Sequence, residues 1–331
     1  MRTGIRSLAR SGRRLWRFDG GLIADPIQSI IWLAKPEELQ LAIAEHPSFD
    51  RPTITTKLWR YVDLAKFLNL LTSGKLWLTN AEVLARDDPY EGVVGAVQFP
   101  HRMWRSIEEV PERLRDQILN IYNRDGNDTP EAAFRAWFML EEQACIMTQS
   151  GRRDYYLNCW HAADHESVAM WKVYGSPGAG VALISNGGRL ETALAENDEK
   201  FYLGKVKYRD PSFVQIGTPN AFDTIMIKRS SYEYEKEIRL VHWHTGNFHD
   251  ALENFNWNEE SMRFDNLIED NRPIESGMSF ACDMNVMIER VIISPYAPPW
   301  YAPMIEQVRD RLGYRFPIHK SKLLDLPPVH P

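Results

Sequence analysis

The sequence predicts a mixed α+β fold, in which a single domain is built on a central mixed or mainly antiparallel sheet flanked by helices. Short apolar segments that favour strands alternate loosely with segments that have helical spacing. Of the 331 residues, 44% are hydrophobic and 25% are charged, which is the ordinary balance of a globular protein. Eleven Trp residues indicate a core that contains large aromatic side chains.

Charge is distributed unevenly along the chain. Residues 1–20 hold six Arg and one acidic residue, although the whole chain carries a net charge of −6. We expect this basic arm to be disordered. The rest of the chain is strongly acidic, which argues against a nucleic acid partner. The arginines of the arm are Arg2, Arg6, Arg10, Arg13, Arg14 and Arg17.

The sequence pattern indicates neither a membrane-spanning segment nor a set of disulfide bonds. No run of about 18 apolar residues occurs, so the sequence predicts no membrane span. The three cysteines, Cys145, Cys159 and Cys282, are widely spaced and odd in number. This pattern is typical of reduced thiols rather than of a disulfide framework. We therefore expect a cytoplasmic protein.

A short accessory segment is expected between the arm and the main domain. Residues 21–52 are predicted to be helical, with one helix at 36–44. That helix starts at Pro36 and has acidic residues in its first turn, both of which favour a helix N-terminus. The main domain is expected to span residues 53–326.

The main domain is predicted to open with a strand, a helix and a second strand. The first strand is at 57–61. Asp63 can cap a helix at 64–71, and Gly74 can end it. The second strand follows at 75–79, where Leu, Trp and Thr favour extended structure.

The later elements follow from the same rules of spacing and capping. Asp164 is expected to cap a helix at 166–174. Pro and Gly mark the ends of the helix nearest the C-terminus. The other predicted helices are 111–122, 130–147, 190–195, 220–227 and 298–312. The other predicted strands are 155–160, 181–184, 201–208 and 286–294, with an extended piece at 315–318.

An acidic turn is predicted between the second strand and the first long helix. Asp88 and Glu91 lie in a segment that also contains Pro and Gly. Carboxylates in such a loop can bind a hard cation such as Mg²⁺. They can also bond the local backbone of a turn. The turn is the favoured interpretation, and no metal site is predicted.

The stretch at 231–244 is the centre of the functional prediction, because three carboxylates run directly into an apolar segment. Read as a strand, it places Glu235, Glu237 and Arg239 on one face. The apolar residues between them face the other way. Two carboxylates on one face repel each other, so the pair is either solvated or has a function.

Arg60 combines with these carboxylates into a pattern that fits one class of reaction. An Arg at the end of an early strand is well suited to bind the diphosphate of NAD⁺. A carboxylate such as Glu237 can stabilise the oxocarbenium-like transition state when the glycosidic bond breaks. An aromatic side chain stacks near the nicotinamide, and Tyr174 and Trp171 are the candidates.

Several short motifs occur in an order that resembles the bacterial domain of unknown function 2971 family. They are Leu58-Trp-Arg-Tyr61, Gly74-Lys-Leu-Trp-Leu78, Asp88-Pro-Tyr-Glu91, Met170-Trp-Lys-Val-Tyr-Gly175 with Gly180-Val-Ala-Leu183, and Tyr234-Glu-Lys-Glu-Ile-Arg-Leu240. The resemblance covers residues 57–321. The family name implies no assigned activity.

A more distant likeness is to ADP-ribosyltransferases, through the order of Arg60 followed by Glu-x-Glu at 235–237. This likeness is an analogy of pattern. The sequence departs from the arginine-specific toxins because no Ser-Thr-Ser lies on a middle strand. Tyr174 or Tyr208 could take that place.

Three functions stay open on the sequence alone. The first is an NAD⁺-using ADP-ribosyltransferase or NAD glycohydrolase, in defence or a toxin system. There Glu237 is catalytic and Glu235 orients an unknown macromolecular or small-molecule acceptor. The second is a metal-dependent nuclease or phosphodiesterase that uses the acidic turn. The third is a non-catalytic sensor or interaction module, in which Arg60 and Glu237 form an internal salt bridge. One open cleft lined by Arg60, Glu237 and an aromatic residue would favour the enzyme.

Overall fold

The computed structural model covers the greater part of the predicted main domain. It describes residues 8–10, 13–18, 21–24, 42–93, 95, 99–122, 129–176, 178–210, 222–244, 256–258, 260–265 and 275–326. Within these ranges, no helix combines the length and the apolar character that crossing a membrane requires.

Three short strands near the N-terminus form a small antiparallel sheet. They are β1 (Leu8–Arg10), β2 (Arg13–Phe18) and β3 (Gly21–Ala24). In this sheet β2 is the central strand and pairs with both others. The prediction of a disordered arm is therefore wrong for β1 and β2, and the predicted helical accessory segment is wrong at β3. Backbone hydrogen bonds between strands do not depend on side-chain charge, so the high arginine content did not exclude them.

A nine-stranded sheet forms the centre of the fold. Its strands are β4 (Lys57–Asp63), β5 (Lys75–Asn80), β6 (Tyr155–Ala162), β7 (Gly180–Asn186), β8 (Phe201–Lys205), β11 (Glu237–Trp243), β14 (Gly277–Ala281), β15 (Arg290–Ile293) and β16 (Ile318–Lys320). Its neighbouring strands are antiparallel except for β15 and β16, which are parallel. The predicted α+β class with a mainly antiparallel sheet is confirmed.

The sheet forks at β6. One edge of β6 pairs with β11 along its whole length, from Trp243 opposite Tyr155 to Glu237 opposite His161. The other edge is shared, because β5 pairs with it only near Leu157 and β4 pairs with it only near His161. The pairings with β4 and β5 thus leave the middle of β6 free on this edge. The two branches continue separately, β4 with β7 and β5 with β14.

Helices cover both faces of the sheet. They are α1 (Leu64–Ser73), α2 (Ala81–Leu84), α3 (Glu112–Tyr122), α4 (Pro130–Ser150), α5 (Val168–Tyr174), α6 (Gly187–Ala193), α7 (Met284–Met287) and α8 (Tyr301–Arg311). Helices α1, α6, α7 and α8 pack in the main core, and α5 packs in a separate cluster with Trp59 and Tyr61. Helices α3 and α4 pack together with Trp104.

Short helical turns and strand pairs complete the described chain. The 3₁₀ helices are Pro100–Met103, Ile107–Glu109, Gly151–Asp154, Thr224–Met226 and Ser230–Glu235. The small strand pairs are β9 (Lys207–Tyr208) with β10 (Ile227–Lys228) and β12 (Asn256–Asn258) with β13 (Arg263–Asp265). The first pair is important for the site because Lys228 belongs to it.

Residues 42–52 pack against the large sheet as an irregular segment. Ile43 forms a bridge with Phe201, and Asp50 forms one with Lys205. Ile43 is completely buried in the main core. The predicted helix is therefore wrong for its described end, and the rest of it lies outside the described residues. This part of the accessory segment packs with the main domain.

Three local predictions differ from the structure. Ser167, not Asp164, caps α5, because its side chain accepts a hydrogen bond from the backbone N–H of Met170. The described part of the predicted helix at 220–227 is a turn, a 3₁₀ helix and the start of β10. The predicted strand at 286–294 begins only at Arg290. The late start of β15 has a visible cause, because the Asp283 side chain accepts hydrogen bonds from the backbone N–H groups of Asn285 and Val286 and so caps α7.

The end of α1 gives a first prediction. Gly74 has φ = 61°, and an added Cβ would meet nothing closer than 4.0 Å. Gly74→Ala should therefore cost about 1–2 kcal/mol of unfolding free energy through backbone strain alone. Urea denaturation measures this. Gly151→Ala is the matched control, since Gly151 has no positive φ and no neighbour within 4 Å. An equal loss in both variants would contradict the prediction.

Candidate functional site

A cavity of about 610 Å³ lies beside the fork in the sheet. Its walls come from both branches of the fork, from α1 and from β6 and β11. The lining residues that matter here are Arg60, Trp77, Asp88, Glu91, Cys159, His161, Tyr174, Lys228, Tyr232, Glu235, Glu237 and Arg239. The predicted Arg60, the predicted acidic turn and both predicted carboxylates thus all line this cavity. The strand register places Arg60 on the opposite face of the sheet from Glu237, because Trp59 and Glu237 both lie opposite His161.

The stretch at 231–244 is not one strand. Ser230–Glu235 is a 3₁₀ helix, and Lys236 has φ = 41° in the left-handed region. Strand β11 therefore begins at Glu237. Strand alternation correctly places Glu237 and Arg239 together, but it does not place Glu235, whose position depends on the left-handed turn.

Lys228 resolves the repulsion between the two carboxylates. Its Nζ lies 2.5 Å from Oε2 of Glu235 and 3.1 Å from Oε2 of Glu237. The Tyr174 hydroxyl donates to Oε1 of Glu235 at 2.5 Å. Both carboxylates are about 95% buried, so this pairing is needed to keep them in the interior. No pattern in the sequence indicated Lys228 as a member of the site.

Arg239 holds the other side of Glu237. It is completely buried. Its Nε donates to Oε1 of Glu237 at 2.7 Å, and its two terminal nitrogens donate to Glu91 at 2.5 and 2.9 Å. The backbone carbonyl of Ile225 accepts a further hydrogen bond from Nη1. Two carboxylates therefore share one guanidinium, which is a strong geometry for a buried ion pair.

The acidic turn is tied to this network at two points. Glu91 binds Arg239, and Oδ1 of Asp88 lies 2.7 Å from Nη2 of Arg229. Oδ1 of Asp88 also accepts from the backbone N–H of Tyr90 at 3.2 Å. This bond is the local one expected of the turn interpretation. The guanidinium of Arg229 lies over the rings of Tyr90 and Tyr232.

The pKa values follow from this arrangement. Burial raises the pKa of the Glu237 carboxyl, but Arg239 and Lys228 lower it by more, so it lies below its usual range. Burial lowers the pKa of Lys228, but Glu237 and Glu235 raise it above its usual value. Burial raises the pKa of Glu91 although Arg239 opposes this. At neutral pH Glu237 is therefore a carboxylate beside two cations.

Arg60 is a cation of the cavity that differs from Arg239 and Lys228, both of which form ion pairs with Glu237. Its guanidinium is half-buried and has no hydrogen bond or ion pair with any residue of the described chain. Burial lowers the pKa of Arg60 to about 10, so it is still charged at neutral pH. A desolvated charge without a partner is energetically unfavourable. It is a site at which an anionic group of a ligand would be stabilised.

Trp171 does not reach the cavity, so the structure corrects its predicted contact with a cofactor. Its indole is 1% exposed and packs edge-on against Tyr61, with ring centroids 4.9 Å apart. Its Nε1 donates to Glu166. Tyr174, one turn later in α5, does line the cavity and is 43% exposed. Helical spacing alone could not decide which of the two faced the core.

Tyr208 supports the start of β11 rather than contacting a ligand. Its hydroxyl accepts a hydrogen bond from the backbone N–H of Glu237 at 2.7 Å. Cys159 lies opposite Arg239 in the sheet and lines the cavity. Burial raises the pKa of the Cys159 thiol well above its usual value, so it is not an activated nucleophile.

The buried glutamates of the cavity bind cationic side chains of the protein itself. Among the residues that the structure describes, no three His, Cys, Asp or Glu side chains are grouped so as to hold a metal ion. The oxygens of Glu91 and Glu237 accept from Arg239, and Lys228 occupies the space between Glu235 and Glu237. A metal ion here would have to displace these cations.

Comparison of the chain with family models, with curated proteins and with solved structures finds no match. The resemblance to the domain of unknown function 2971 family therefore stays a prediction from its motifs.

The buried network predicts a large effect of removing its central cation. Arg239→Met leaves Glu91 and Glu237 buried without their shared partner, which should cost about 3–5 kcal/mol of unfolding free energy. Lys205→Met is the control. The pair between Lys205 and Asp50 is about half exposed, so its loss should cost about 1 kcal/mol or less. Similar losses in guanidinium chloride denaturation would contradict the buried role of Arg239.

Replacing Arg60 should change the unfolding free energy in the opposite direction, towards greater stability. Arg60→Met removes a desolvated charge that has no partner in the described residues, so unfolding free energy should rise by about 1 kcal/mol. For a chain of this size that corresponds to about 2 °C in melting temperature. Calorimetry without ligand measures it. Arg51→Met, which breaks the pair with Glu191, should lower the melting temperature slightly. A clear loss of stability in Arg60→Met would show that Arg60 has an internal partner.

Proposed function

We propose that the protein is an enzyme that breaks the N-glycosidic bond of NAD⁺, as an ADP-ribosyltransferase or NAD glycohydrolase. The observation that carries this proposal is the cavity, whose lining includes the ionised Glu237, Tyr174, Tyr232 and Arg60, which has no ionic partner among the described residues. Its volume of about 610 Å³ is that of a small-molecule site. A ligand that carries both an anion and a cation, as NAD⁺ does, complements such walls.

Arg60 is assigned to the diphosphate of the substrate. A guanidinium binds two phosphate oxygens at once through its planar fork of donors. Because Arg60 is charged, half-buried and unpaired within the described chain, the diphosphate would replace the water it has lost. Binding energy at this point positions the reactive ribose without itself taking part in the chemistry.

Glu237 is assigned to the reacting ribose. When the bond from C1′ to the pyridinium nitrogen breaks, its electron pair goes to that nitrogen, and nicotinamide leaves as a neutral molecule. Positive charge then develops on C1′ and the ring oxygen, where a fixed carboxylate stabilises it. Arg239 and Lys228 hold Glu237 in place and keep it ionised. Water or an acceptor adds to C1′ and releases a proton.

Glu235 is assigned to the acceptor. It precedes the left-handed Lys236 and accepts a hydrogen bond from Tyr174, which is partly exposed at the cavity. A group at this position can orient an attacking hydroxyl or water and take up its proton. The acceptor is a macromolecule or a small molecule, and water alone would make the enzyme a glycohydrolase.

A second candidate is a non-catalytic module that binds the same ligand. It is favoured by the pairing of Glu237 with two protein cations, which a purely structural network would also have. The internal bridge from Arg60 to Glu237 that this candidate first suggested has no counterpart among the described contacts. Binding without turnover would select this candidate. The metal-dependent nuclease gains no support from carboxylates that already bind Lys228 and Arg239.

A cytoplasmic setting is part of the proposal. It is supported by the three cysteines, which are free in the structure, two of them buried. The proposed acceptor lies in the same compartment. The acidic character of the chain, with a net charge of −6, continues to argue against nucleic acid as the partner.

The proposal predicts that Glu237→Gln lowers NAD⁺ consumption by at least about 100-fold, since a neutral amide cannot stabilise the developing charge. Release of nicotinamide, followed by chromatography, measures the rate. Labelled NAD⁺ with cell lysate shows whether ADP-ribose is transferred or only hydrolysed. Circular dichroism must show that the variant is folded, because Glu237 also pairs with Arg239.

Glu82→Gln is the matched control for the loss of a partly buried ion pair away from the cavity, since Glu82 binds Arg152. It should keep the wild-type rate. Absence of NAD⁺ consumption by the wild type with water and with every acceptor fraction of the lysate would refute the enzymatic proposal.

A further inference from the structure

A second cavity, of about 870 Å³, adjoins the first one. Its walls come from the residues before β4, from the end of β6 with the turn that follows, and from the two neighbours of Glu235 in the sequence. Among the residues that the structure describes, His161 alone lines both cavities. An imidazole in this position can take a proton from a molecule that enters through the second cavity and reacts in the first.

The strand register places His161 beside the proposed catalytic carboxylate. His161 of β6 lies directly opposite Glu237 of β11. Directly opposite residues of an antiparallel pair have their side chains on the same face, with Cβ atoms about 4.5–5.5 Å apart. The imidazole therefore lies at the same part of the first cavity as Glu237.

A single hydrogen bond fixes which nitrogen of His161 can act as a base. Its Nδ1 lies 2.5 Å from the backbone carbonyl oxygen of Glu235. A carbonyl oxygen can only accept, so Nδ1 carries the proton and Nε2 of the neutral ring is an acceptor. Nε2 has no hydrogen-bond partner in the described chain and is not among its fully buried unpaired atoms, although the residue is only 5% exposed. The ring of Tyr61 packs edge-on against the imidazole at 6.4 Å between centroids.

The surroundings of His161 keep the ring neutral. Burial lowers the pKa of His161 below its usual value, although the hydrogen bond to Glu235 opposes this. The ring can therefore accept a proton at neutral pH. The charged and titratable groups around it are Glu235, Lys236 and Glu237 beside β11, Lys57 and Tyr61 in β4, and Asp164, His165 and Glu166 after β6.

The carboxylates next to His161 are already engaged. Both oxygens of Glu235 accept hydrogen bonds, one from Tyr174 and one from Lys228. Glu237 likewise accepts from two cations. Any proton that Glu235 takes up while it orients the acceptor has to be passed on, and Nε2 of His161 is the neighbouring base without a donor in the described chain.

We infer that His161 is the general base of the reaction, and that the acceptor is water or a hydroxyl group that reaches it through the second cavity. The inference rests on the proposed function. As the acceptor oxygen bonds to C1′, its proton passes to Nε2, and the electron pair of the broken bond leaves with nicotinamide. The imidazolium then releases the proton to solvent. A carboxylate acceptor would need no base, and a guanidinium holds its proton too firmly for an imidazole to remove it.

The pH dependence of the wild-type protein tests this role without any variant. Nicotinamide release should increase by about tenfold per pH unit up to a midpoint below about pH 6.5, and should be level above it, because a protonated imidazole cannot accept a proton. Glu237 stays ionised over this range, since its pKa lies below its usual value. A rate that is level from about pH 4.5 to about pH 9 would overturn the role of His161.

His161→Asn separates the chemical role from a structural one. The amide N–H of Asn can replace Nδ1 as the donor to the Glu235 carbonyl, but Asn offers no base. The variant should lower kcat at pH 8 by at least about 100-fold, lose the acid limb and change KM for NAD⁺ by less than about threefold. His319→Asn is the matched control, because His319 is exposed and lines neither cavity. A folded His161→Asn that keeps the acid limb would contradict the inference.

His161→Ala provides a second variant. It leaves a space of the size of an imidazole next to the second cavity, so added imidazole should restore the rate in proportion to its concentration. A structural role predicts no such restoration, and its absence in a folded variant would count against the base. Methanol added to the wild type should give methyl ADP-riboside beside ADP-ribose, and its absence would exclude a hydroxyl acceptor other than water.

Failure of the inference and failure of the proposed function give different results. A wild-type protein that releases no nicotinamide at any pH overturns both. A wild-type protein that releases nicotinamide with a level pH profile overturns only the role of His161 and leaves the proposed function standing.

Discussion

The contact of Arg239 with Glu91 and Glu237 is the interaction on which the rest of the site depends. It joins the acidic turn, the first residue of β11 and the carbonyl of Ile225 through one completely buried guanidinium. None of the three charged side chains, Arg239, Glu91 and Glu237, could remain buried alone, because the free-energy cost of its desolvation would exceed the gain from local packing. The cavity therefore has a wall whose carboxylates cannot move independently.

The cavity itself is a consequence of sheet geometry. Strands β4 and β5 share one edge of β6 without meeting along its middle, so side chains of both branches can line a space beside it. Arg60 lies on one branch and Trp77 on the other. A continuous sheet would have filled this space with paired strands. The charge of Arg60, which has no ionic partner in the described chain, would be stabilised if the proposed anionic ligand bound there.

Helix capping and strand alternation correctly predicted the elements that depend only on residues close together in the sequence. Asp63 and Gly74 bound α1 through a cap and a left-handed residue, and Ile238 and Leu240 lie in the core as alternation requires. The errors have a common cause in long-range contacts. Lys228 reaches Glu237 only through the fold, Lys236 takes a left-handed φ that its residue type does not signal, and the burial of Trp171 depends on β4. Spacing along one chain segment contains none of this information.

The fork also determines how the site can deform. Where β4 and β5 separate, no ladder between them links the two branches, and α1 is the covalent connection from one to the other. A change in their separation would break no backbone hydrogen bond between β4 and β5, but it would strain the ladders that join both strands to β6 near His161 and Leu157. These two short ladders and the packing of α1 in the main core therefore set the width of the opening. The ionic wall keeps its shape through Arg239.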